Sequence, residues 1–164
     1  NRGYRMGTTT TTFSQGTDDI SIDIDHILLE LESLPRYDTQ LSLQVTQTGS
    51  SGEGKLENLH NVEKDFNIFA YDIPYTNSIL SELGMYRSRL MRMSPKTCYS
   101  YHWDPTKRMH IPLITNEDNF FVIDDEVSRY PADGSYYLVD TTKKHTFVNA
   151  SFESRLHIVG CVDS

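Results

Sequence analysis

Short stretches of aromatic and β-branched residues, several alternating with polar ones, dominate the second half of the chain. This pattern is typical of short β-strands. Clusters of Asn, Asp, Gly, Ser and Pro separate the stretches and predict turns. The predicted strands cover residues 97–102, 107–115, 119–124, 136–140 and 155–162. Together they predict a compact antiparallel β-sandwich or barrel.

The first half of the chain has the clearest helical pattern, in residues 24–34. Asp23 or Asp25 can cap the first turn of this helix, and Pro35 ends it. The acidic side chains of the helix, Glu30 among them, are expected in solvent. The apolar positions at helical spacing are Ile24, Ile27, Leu28, Leu31 and Leu34.

Other parts of the first half carry weaker signals. A second helix is predicted for residues 74–83, which have proline at the first turn and are followed by Gly84. Residues 41–45 are a candidate strand, and residues 48–57, rich in Gly, Ser and charge, are expected to form a mobile loop. The threonine run at residues 8–12 fits either an extended edge strand or a disordered arm, and residues 1–20 as a whole could form a flexible arm.

Composition and charge indicate a small globular protein. A chain of 164 residues with 37% hydrophobic residues can bury a sizeable core, so we expect a single domain over residues 1–164. The net charge of −8 argues against broad electrostatic binding to nucleic acid or an anionic membrane. The expected partner is a small molecule or a peptide.

The cysteines and the absence of long apolar runs bear on the compartment. Cys98 and Cys161 both lie in predicted strands and are expected to be reduced core residues rather than a disulfide. No apolar run approaches the roughly 18 residues of a membrane span, and no signal-peptide pattern is present. We therefore expect a soluble, cytoplasmic protein.

A local basic cluster stands out against the acidic background. Arg87, Arg89 and Arg92 lie in a further predicted strand, where Arg87 and Arg89 share one face and Arg92 takes the other. These side chains could bind an anionic substrate or pair with the abundant carboxylates of the chain. The second interpretation is favoured.

The strongest chemical signal is a His-x-Asp pair, His102 and Asp104, with His145 a further 43 positions on (145 minus 102). In an extended strand, residues i and i+2 project from the same face, so His102 and Asp104 can reach one ion while Trp103 points away. His145 must then come from another strand brought alongside. Two imidazoles and one carboxylate are the ligand set that holds Fe(II) and leaves coordination positions open.

The residues around this triad resemble the aspartyl/asparaginyl β-hydroxylase family of 2-oxoglutarate- and Fe(II)-dependent oxygenases. The family pattern is H-x-D, then R-x-H-x-P-L, then G, D, H-x-x-x-N and finally R. The resemblance covers residues 85–163, about half of the chain. The matching residues are the run His102-Trp-Asp104-Pro-Thr-Lys-Arg108-Met-His110-Ile-Pro-Leu113, followed by Gly134, Asp140, His145, Asn149 and Arg155.

The resemblance implies a fold and a set of site residues. The fold is mainly β, a double-stranded β-helix (a jelly-roll, cupin-like) with a few flanking N-terminal helices and an open mouth for substrate. The aromatic residues 66–75 could line that mouth, although a place in the core is favoured. The implied iron ligands and catalytic residues are His102, Asp104 and His145. The implied 2-oxoglutarate site consists of Arg155, which binds the distal carboxylate, together with Arg108 and His110.

The implied activity is hydroxylation of an amino-acid-like substrate, either peptidyl Asp or Asn or a free amino acid. Fe(II), 2-oxoglutarate and O2 are the implied cofactor and cosubstrates, and ascorbate supports such reactions in vitro. Two alternatives remain: another metal-dependent cupin-like enzyme, and a non-catalytic ligand-binding β-sandwich. Neither alternative requires Arg155, Arg108 and His110.

The chemistry of the arginines agrees with these roles. A guanidinium presents a rigid fork of donors that pairs bidentately with a carboxylate. For Arg155 the alternative is a surface salt bridge, for instance to Glu153. In the strand 107–115, Arg108 and His110 share a polar face, whereas the other face is apolar.

Nearby polar residues have structural alternatives as well. Asn149 could bond a group behind the metal ligands or begin a turn. Asp140 could orient an imidazole, although a local hydrogen bond is favoured. His157 has no ligand role in the resemblance. His26 and His60 are expected to be ordinary surface or helix residues.

Overall fold

A computed structural model describes residues 4–6, 20–56 and 61–163 of the chain. The helices are α1 (Ile24–Leu31) and α2 (Pro74–Glu82), and a 3-10 helix covers Glu63–Asp65. The strands are β1 (Tyr4–Met6), β2 (Gln40–Ser42), β3 (Gln44–Val45), β4 (Ile68–Phe69), β5 (Tyr86–Met93), β6 (Thr97–Cys98), β7 (Arg108–Ile114), β8 (Asn119–Ile123), β9 (Glu126–Ser128), β10 (Tyr136–Val139), β11 (His145–Asn149) and β12 (Arg155–Cys161).

Two sheets form the body of the fold. Within the described ranges, one sheet has six strands in the order β1-β10-β7-β12-β5-β2, and the other has four in the order β6-β11-β8-β9. Neighbouring strands in both sheets are antiparallel, apart from the parallel pair β1 and β10. The predicted mainly β, cupin-like jelly-roll with a few helices is confirmed.

The six-stranded sheet separates two apolar clusters. One face packs with α1 and α2, and on β7 it contributes Met109, Ile111 and Leu113. The other face turns toward the four-stranded sheet, where its Tyr137 and Val139 pack with Phe121, Phe147 and other apolar residues. We call the space between the two sheets the barrel interior. His110 faces this interior because its ring packs against those of Phe121 and Phe147, so the predicted division of β7 into two faces is confirmed.

The first helix is shorter than predicted. Asp23 caps it by accepting a hydrogen bond from the His26 amide, at 3.1 Å, but the helix ends at Leu31 rather than Leu34. The apolar spacing continues to Leu34, whereas Pro35 disfavours helical geometry in the residue before it, so the last residues form turns.

The second helix is capped from the first. Its start at Pro74 is as predicted, and it is followed by Gly84, whose φ is +67°. Glu30 accepts hydrogen bonds from the amides of Tyr75 and Thr76, at 2.9 and 2.7 Å. The expectation that Glu30 is merely solvated is wrong, because a helix N-terminus presents unpaired amides that attract a carboxylate.

The strand predictions differ in detail. Of residues 97–102, only Thr97–Cys98 form a strand, and an isolated bridge joins His102 to His145. Residues 41–45 divide between β2 and β3, which pair in different sheets. The sequence pattern gave no range for β9 or β11. The threonine run at 8–12 and His60 lie outside the described residues.

The cysteine prediction is half right. Both cysteines are free thiols, and Cys161 is buried. Cys98 is exposed, on β6 at the edge of its sheet. The aromatic segment 66–75 is also mixed, since Phe66 is buried and Phe69 is exposed. None of the helices in the described part of the chain is long and apolar enough to cross a membrane.

Candidate metal centre

His102, Asp104 and His145 converge at one end of the barrel interior. Each offers one ligand atom, and the three atoms lie within 4.8 Å of one another. The β6–β11 pairing continues to a bridge in which the His102 amide donates to His145 O, at 3.1 Å, and the His145 amide donates to His102 O, at 2.9 Å. The Asp104 amide donates to Thr141 O, at 2.8 Å. Backbone hydrogen bonds therefore place all three side chains.

Both imidazoles are oriented by carbonyl oxygens. Nδ1 of His102 lies 2.8 Å from Ser100 O, and Nδ1 of His145 lies 2.8 Å from Lys143 O. A carbonyl oxygen only accepts, so each Nδ1 carries a proton, and in the neutral imidazole each Nε2 then keeps a free lone pair. This is the arrangement that fixes the tautomer of metal-binding histidines.

The triad lies between the core and the surface. His145 is only 1% exposed, and its burial lowers the pKa of the imidazole, which favours the neutral form that binds metals. His145 Nε2 and Asp104 Oδ2 are 3.6 Å apart, and the Asp104 side chain remains 26% exposed. Trp103 points outward, as predicted, and is 65% exposed. An ion bound here is thus reachable from solvent on one side.

Arg108 lies beside the triad and is shared between two carboxylates. Its Nη1 is 2.9 Å from Glu63 Oε2, and its Nη2 is 3.7 Å from Asp104 Oδ1. Glu63 also accepts hydrogen bonds from Thr106 Oγ1 and from the thiol of Cys161, both at 2.8 Å. Burial raises the pKa of Glu63, but the bond from Cys161 and the charge of Arg108 outweigh it and hold the pKa below its ordinary value. Glu63 is thus an ionised member of the site.

Arg155 lies at the other end of the barrel interior. It is 3% exposed, and its Cζ is 4.8 Å from the centre of the Phe147 ring. Its Nε has no hydrogen-bond partner, and no carboxylate of the described residues lies within 4.0 Å. Burial lowers the pKa of Arg155 to about 10. The alternative of a surface salt bridge to Glu153 is wrong, because the guanidinium points inward and Glu153 is exposed.

A small cavity adjoins Arg155. Its volume is about 10 Å³, which is room for roughly one water molecule. A larger group can enter only if surrounding side chains move. The lining includes Thr115, Asn119, Phe121, Tyr130, Phe147 and His157.

A histidine pair lies next to this cavity. Nδ1 of His110 and Nδ1 of His157 are 3.1 Å apart, so one of the two must donate and the other accept. Neither Nε2 has a partner among the residues described, although both rings are buried. Burial lowers the pKa of each imidazole well below its ordinary value. The pair is therefore neutral and offers unpaired nitrogens to the interior.

The two arginines of the predicted cosubstrate site are not neighbours. Arg108 pairs with Cys161 at one end of β12, whereas Arg155 begins that strand. Six residues separate the backbones of Cys161 and Arg155 (161 minus 155), which is about 20 Å of extended strand. The Arg155 side chain is nearer to the triad than its backbone position suggests, because the Phe147 ring lies 4.8 Å from Arg155 Cζ and 6.2 Å from the His145 ring. His110 lies between the two levels, opposite Val159. The predicted residues thus line the interior from the triad to the far end.

The chain was compared with models of known protein families. The sequence model of the aspartyl/asparaginyl beta-hydroxylase family matches residues 18–163. The chain belongs to this family. No curated protein sequence matches the chain.

Solved structures show weaker likenesses. An oxidoreductase of the 2OG-Fe(II) oxygenase family from Burkholderia pseudomallei is 15% identical over 84% of this chain and 76% of its own, with a TM-score of 0.49. A cupin 2 conserved barrel domain protein from Salinispora arenicola is 16% identical, with a TM-score of 0.39. That match covers 47% of this chain and 62% of the Salinispora protein. A cupin domain from Bordetella pertussis is 14% identical over 48% of this chain and 81% of its own, with a TM-score of 0.41.

Two further residues of the β-hydroxylase pattern have structural roles here. The Asn149 side chain accepts from Asn119 Nδ2, at 2.7 Å, and donates to the carbonyls of Met93 and Glu153. None of these bonds reaches the triad, so the turn interpretation of Asn149 holds. Asp140 accepts from the amide and the hydroxyl of Thr142, which is the favoured local role.

The basic cluster of β5 only partly matches its prediction. Arg87 pairs with a carboxylate, that of Glu63, at 3.3 Å. Arg92 instead donates to the carbonyls of Tyr37 and Asp38 and stacks on the Tyr37 ring. Arg89 bonds the amide oxygen of Gln40. The favoured pairing with carboxylates is therefore right for Arg87 alone.

The sequence pattern missed Glu63. It lies 39 positions before His102 (102 minus 63), in a 3-10 helix with no periodicity of its own. Its contacts to Arg87 and Arg108 are long-range, so nothing in the local sequence signals them.

Proposed function

We propose that this member of the β-hydroxylase family is a 2-oxoglutarate- and Fe(II)-dependent oxygenase that hydroxylates an amino-acid-like substrate. The observation that carries the proposal is the convergence of two imidazoles and one carboxylate within 4.8 Å. Another metal-dependent cupin-like enzyme and a non-catalytic ligand-binding β-sandwich would each give a different result in the succinate assay.

The donor set of the triad fits Fe(II). Two neutral histidines and a carboxylate are the facial ligands of non-haem Fe(II) oxygenases. In the proposed site His102, Asp104 and His145 hold the ion, and the carbonyls of Ser100 and Lys143 keep each Nε2 available. Bound together, Fe(II) and 2-oxoglutarate supply the oxidising chemistry, which with O2 yields succinate, carbon dioxide and a hydroxylated C–H bond.

Arg155 is the proposed anchor of the distal carboxylate of 2-oxoglutarate. A buried guanidinium without a carboxylate is costly, and a bidentate carboxylate would remove that cost. The unpaired Nε2 atoms of His110 and His157 add a donor and an acceptor next to the anchor. Arg108 lies 3.7 Å from Asp104, so in the proposed site its positive charge acts beside the metal ligands, at the iron-binding end of the cosubstrate.

The aromatic residues of the interior would exclude water from the reaction. Phe121 and Phe147 lie near both His145 and Arg155: their rings are 5.7 and 6.2 Å from the His145 ring, and both line the cavity at Arg155. Because this cavity holds only about one water molecule, entry of the cosubstrate requires these rings to shift. An apolar wall then protects the oxidising chemistry from side reactions.

The proposed substrate is a small molecule or a peptide that carries an amino-acid group. The family name points to Asp or Asn side chains, and free amino acids are the other choice. The acidic net charge of −8 gives no reason to expect nucleic acid.

The deciding experiment measures succinate formation from 2-oxoglutarate in the presence of Fe(II), ascorbate and O2. We expect turnover by the native chain and none by His145→Ala or Arg155→Ala, followed by a search for a product 16 Da heavier among amino acids and peptides. Well-folded native protein that binds neither Fe(II) nor 2-oxoglutarate would contradict the proposal and favour a ligand-binding role. Binding of Fe(II) alone, with turnover of another substrate, would favour a different cupin-like enzyme.

A further inference from the structure

Two neighbouring arginines of β5 differ sharply in how they are paired. Arg87 donates to the carbonyls of Gly52 and Gly54, at 3.0 and 2.7 Å, and contacts the Glu63 carboxylate at 3.3 Å. Arg89 makes a single hydrogen bond in the described part of the chain, from Nη1 to Gln40 Oε1, at 3.3 Å. Arg87 is thus held in place by the protein, whereas Arg89 uses only one of its five N–H donors in a hydrogen bond to a described residue.

Arg89 is nevertheless buried. It is 6% exposed, its Nε has no partner, and no carboxylate among residues 20–56 and 61–163 lies within 4.0 Å of it. Burial and the nearby charges of Arg87 and Arg108 lower the pKa of Arg89 to about 10. A buried cation without a counter-charge costs stability, so its presence calls for a compensating role.

The strand register aims Arg89 into the barrel interior. Arg89 lies opposite Val159 on β12, and Val159 lies opposite His110 on β7. Side chains of directly paired residues project from the same face, and His110 faces the interior. Two strand spacings, about 10 Å, separate Arg89 from His110. Arg89 also interacts electrostatically with Asp104, so its charge acts on the space beside the triad.

Arg89 is separate from the proposed anchor of 2-oxoglutarate. Arg155 lies opposite Met93 on β5, which is four residues from Arg89 (93 minus 89), or about 13 Å of strand. Arg108 is closer to the triad, but it is already in contact with Glu63 at 2.9 Å. Arg89 is therefore the interior guanidinium that remains for a second anion.

We propose that Arg89, oriented by Gln40, binds a carboxylate of the primary substrate, and hence that the substrate is an acid rather than its amide. This inference rests on the proposed function and deepens it. The Gln40 side-chain oxygen also accepts from the Gly54 amide, at 3.0 Å, which fixes the oxygen that receives Arg89 Nη1 and leaves Arg89 Nε without a partner. A planar fork is the group that reads a carboxylate bidentately.

The test uses the whole chain with Mn(II) and 2-oxoglutarate bound. Mn(II) replaces Fe(II) so that no turnover occurs during the measurement. Calorimetry measures the binding of each of the twenty amino acids and of N-acetyl-L-aspartate. The affinity of each acid is compared with that of the compound in which a carboxamide replaces its carboxylate. We expect at least one acid to bind about 10-fold or more tightly than its amide. In Arg89→Gln this difference should fall below about 2-fold, with the affinity for 2-oxoglutarate unchanged within about 2-fold.

Arg92→Gln is the matched control. Arg92 lies on the same strand and bonds the carbonyls of Tyr37 and Asp38, so its loss should lower the unfolding midpoint and leave the preference for acids intact. Arg89→Gln should not lower the midpoint, because the charge it removes is uncompensated. Should Arg89→Gln fail to fold, Arg89→Lys keeps the charge, loses the fork and is expected to retain a reduced preference.

The outcomes separate this inference from the proposed function. Equal binding of acids and amides, no binding of any acid, or an unchanged preference in Arg89→Gln and Arg89→Lys would each overturn the role of Arg89. A native chain that binds no 2-oxoglutarate contradicts the proposed function instead, and that affinity is measured before any acid is added.

Discussion

The two ends of the barrel interior are built in opposite ways. At the triad, the side chains already have partners that orient them: Nδ1 of His102 and of His145 each bonds a carbonyl at 2.8 Å. From the middle of the interior to the far end, the Nε2 atoms of His110 and His157 and the Nε of Arg155 are buried and have no partner among the described residues. One end is organised before any ligand binds, and the other is left incomplete.

Because of this difference, mutations at the two ends should have different consequences. An oriented ligand set has its hydrogen bonds already made, so loss of a ligand should affect metal affinity more than stability. Buried polar groups without partners do cost stability. Their removal should weaken binding of a ligand and leave the empty protein as stable as before, or more so.

The largest effect is expected for His145→Ala. Loss of a ligand should weaken Fe(II) or Mn(II) binding by more than the roughly 10- to 100-fold that loss of an outer partner costs. Because His145 is buried, its truncation should also lower the unfolding midpoint, so metal binding is measured under conditions where the variant is folded. The single tryptophan, Trp103, is next to His102, so its fluorescence reports the titration directly. Normal metal affinity in this variant would remove the triad from the proposed site.

A control for this titration is His26→Ala. His26 is exposed on α1, where it stacks on the Tyr75 ring at 4.2 Å. The His26→Ala variant should therefore have the metal affinity of the native chain. Similar losses in His26→Ala and His145→Ala would mean that the fluorescence follows folding and does not report binding.

A smaller but selective effect is expected for Arg155→Gln. Loss of charge-assisted hydrogen bonds, each worth about 1.5–3 kcal/mol, should raise the KM for 2-oxoglutarate by about 30-fold or more. Metal affinity should stay within about 2-fold, because the triad is at the other end. The unfolding midpoint of the empty protein should not fall. A variant that loses stability and keeps its KM would show that the guanidinium is structural.

The histidine pair should make stability fall in acid. His110 and His157 have folded pKa values well below the ordinary 6.5, so below about pH 6.5 the unfolded chain binds protons that the folded chain does not. Each ring should lower the free energy of unfolding by about 1.4 kcal/mol per pH unit as the pH drops from there, and the two together by about 2.8.

Denaturant titrations at several pH values check the contribution of the pair. His157→Leu should halve the part of the acid slope that the pair causes, and it should leave the slope above pH 7.5 unchanged, where both rings are neutral folded or unfolded. An acid slope identical in the native chain and the variant would contradict a buried, neutral His157.

The sequence alone was informative where the signal is local. The spacing of His102 and Asp104 depends only on the alternation of a strand, and α1 and α2 begin at recognisable caps. Residues 97–102 show the limit of such reasoning, since an aromatic-rich pattern predicted a full strand where the chain forms a short strand, a loop and one bridge.

Long-range pairing could not be predicted from the sequence. Nothing near Glu63 indicates that it meets Arg87, Arg108 and Cys161, because those contacts depend on how the 3-10 helix packs against the sheet. The pairing state of Arg89 and Arg155 depends equally on which carboxylates the fold brings close. A sequence pattern identifies a charged residue and its face, whereas only the fold shows whether the charge is compensated.

The smallest effect is expected for Glu63→Gln, which tests whether the triad end depends on a balance of charges. Arg108 lies 2.9 Å from Glu63 and 3.7 Å from Asp104, so removal of the Glu63 charge should let Arg108 pair more closely with Asp104 and compete with a metal. We expect metal affinity to fall about 3- to 10-fold at neutral pH. Lys64→Gln is the matched control, because Lys64 is in the same 3-10 helix and pairs with Asp163 at 2.8 Å. Equal metal affinity in Glu63→Gln and the native chain would mean that Arg108 does not restrain Asp104, and the triad would then be organised by its backbone carbonyls alone.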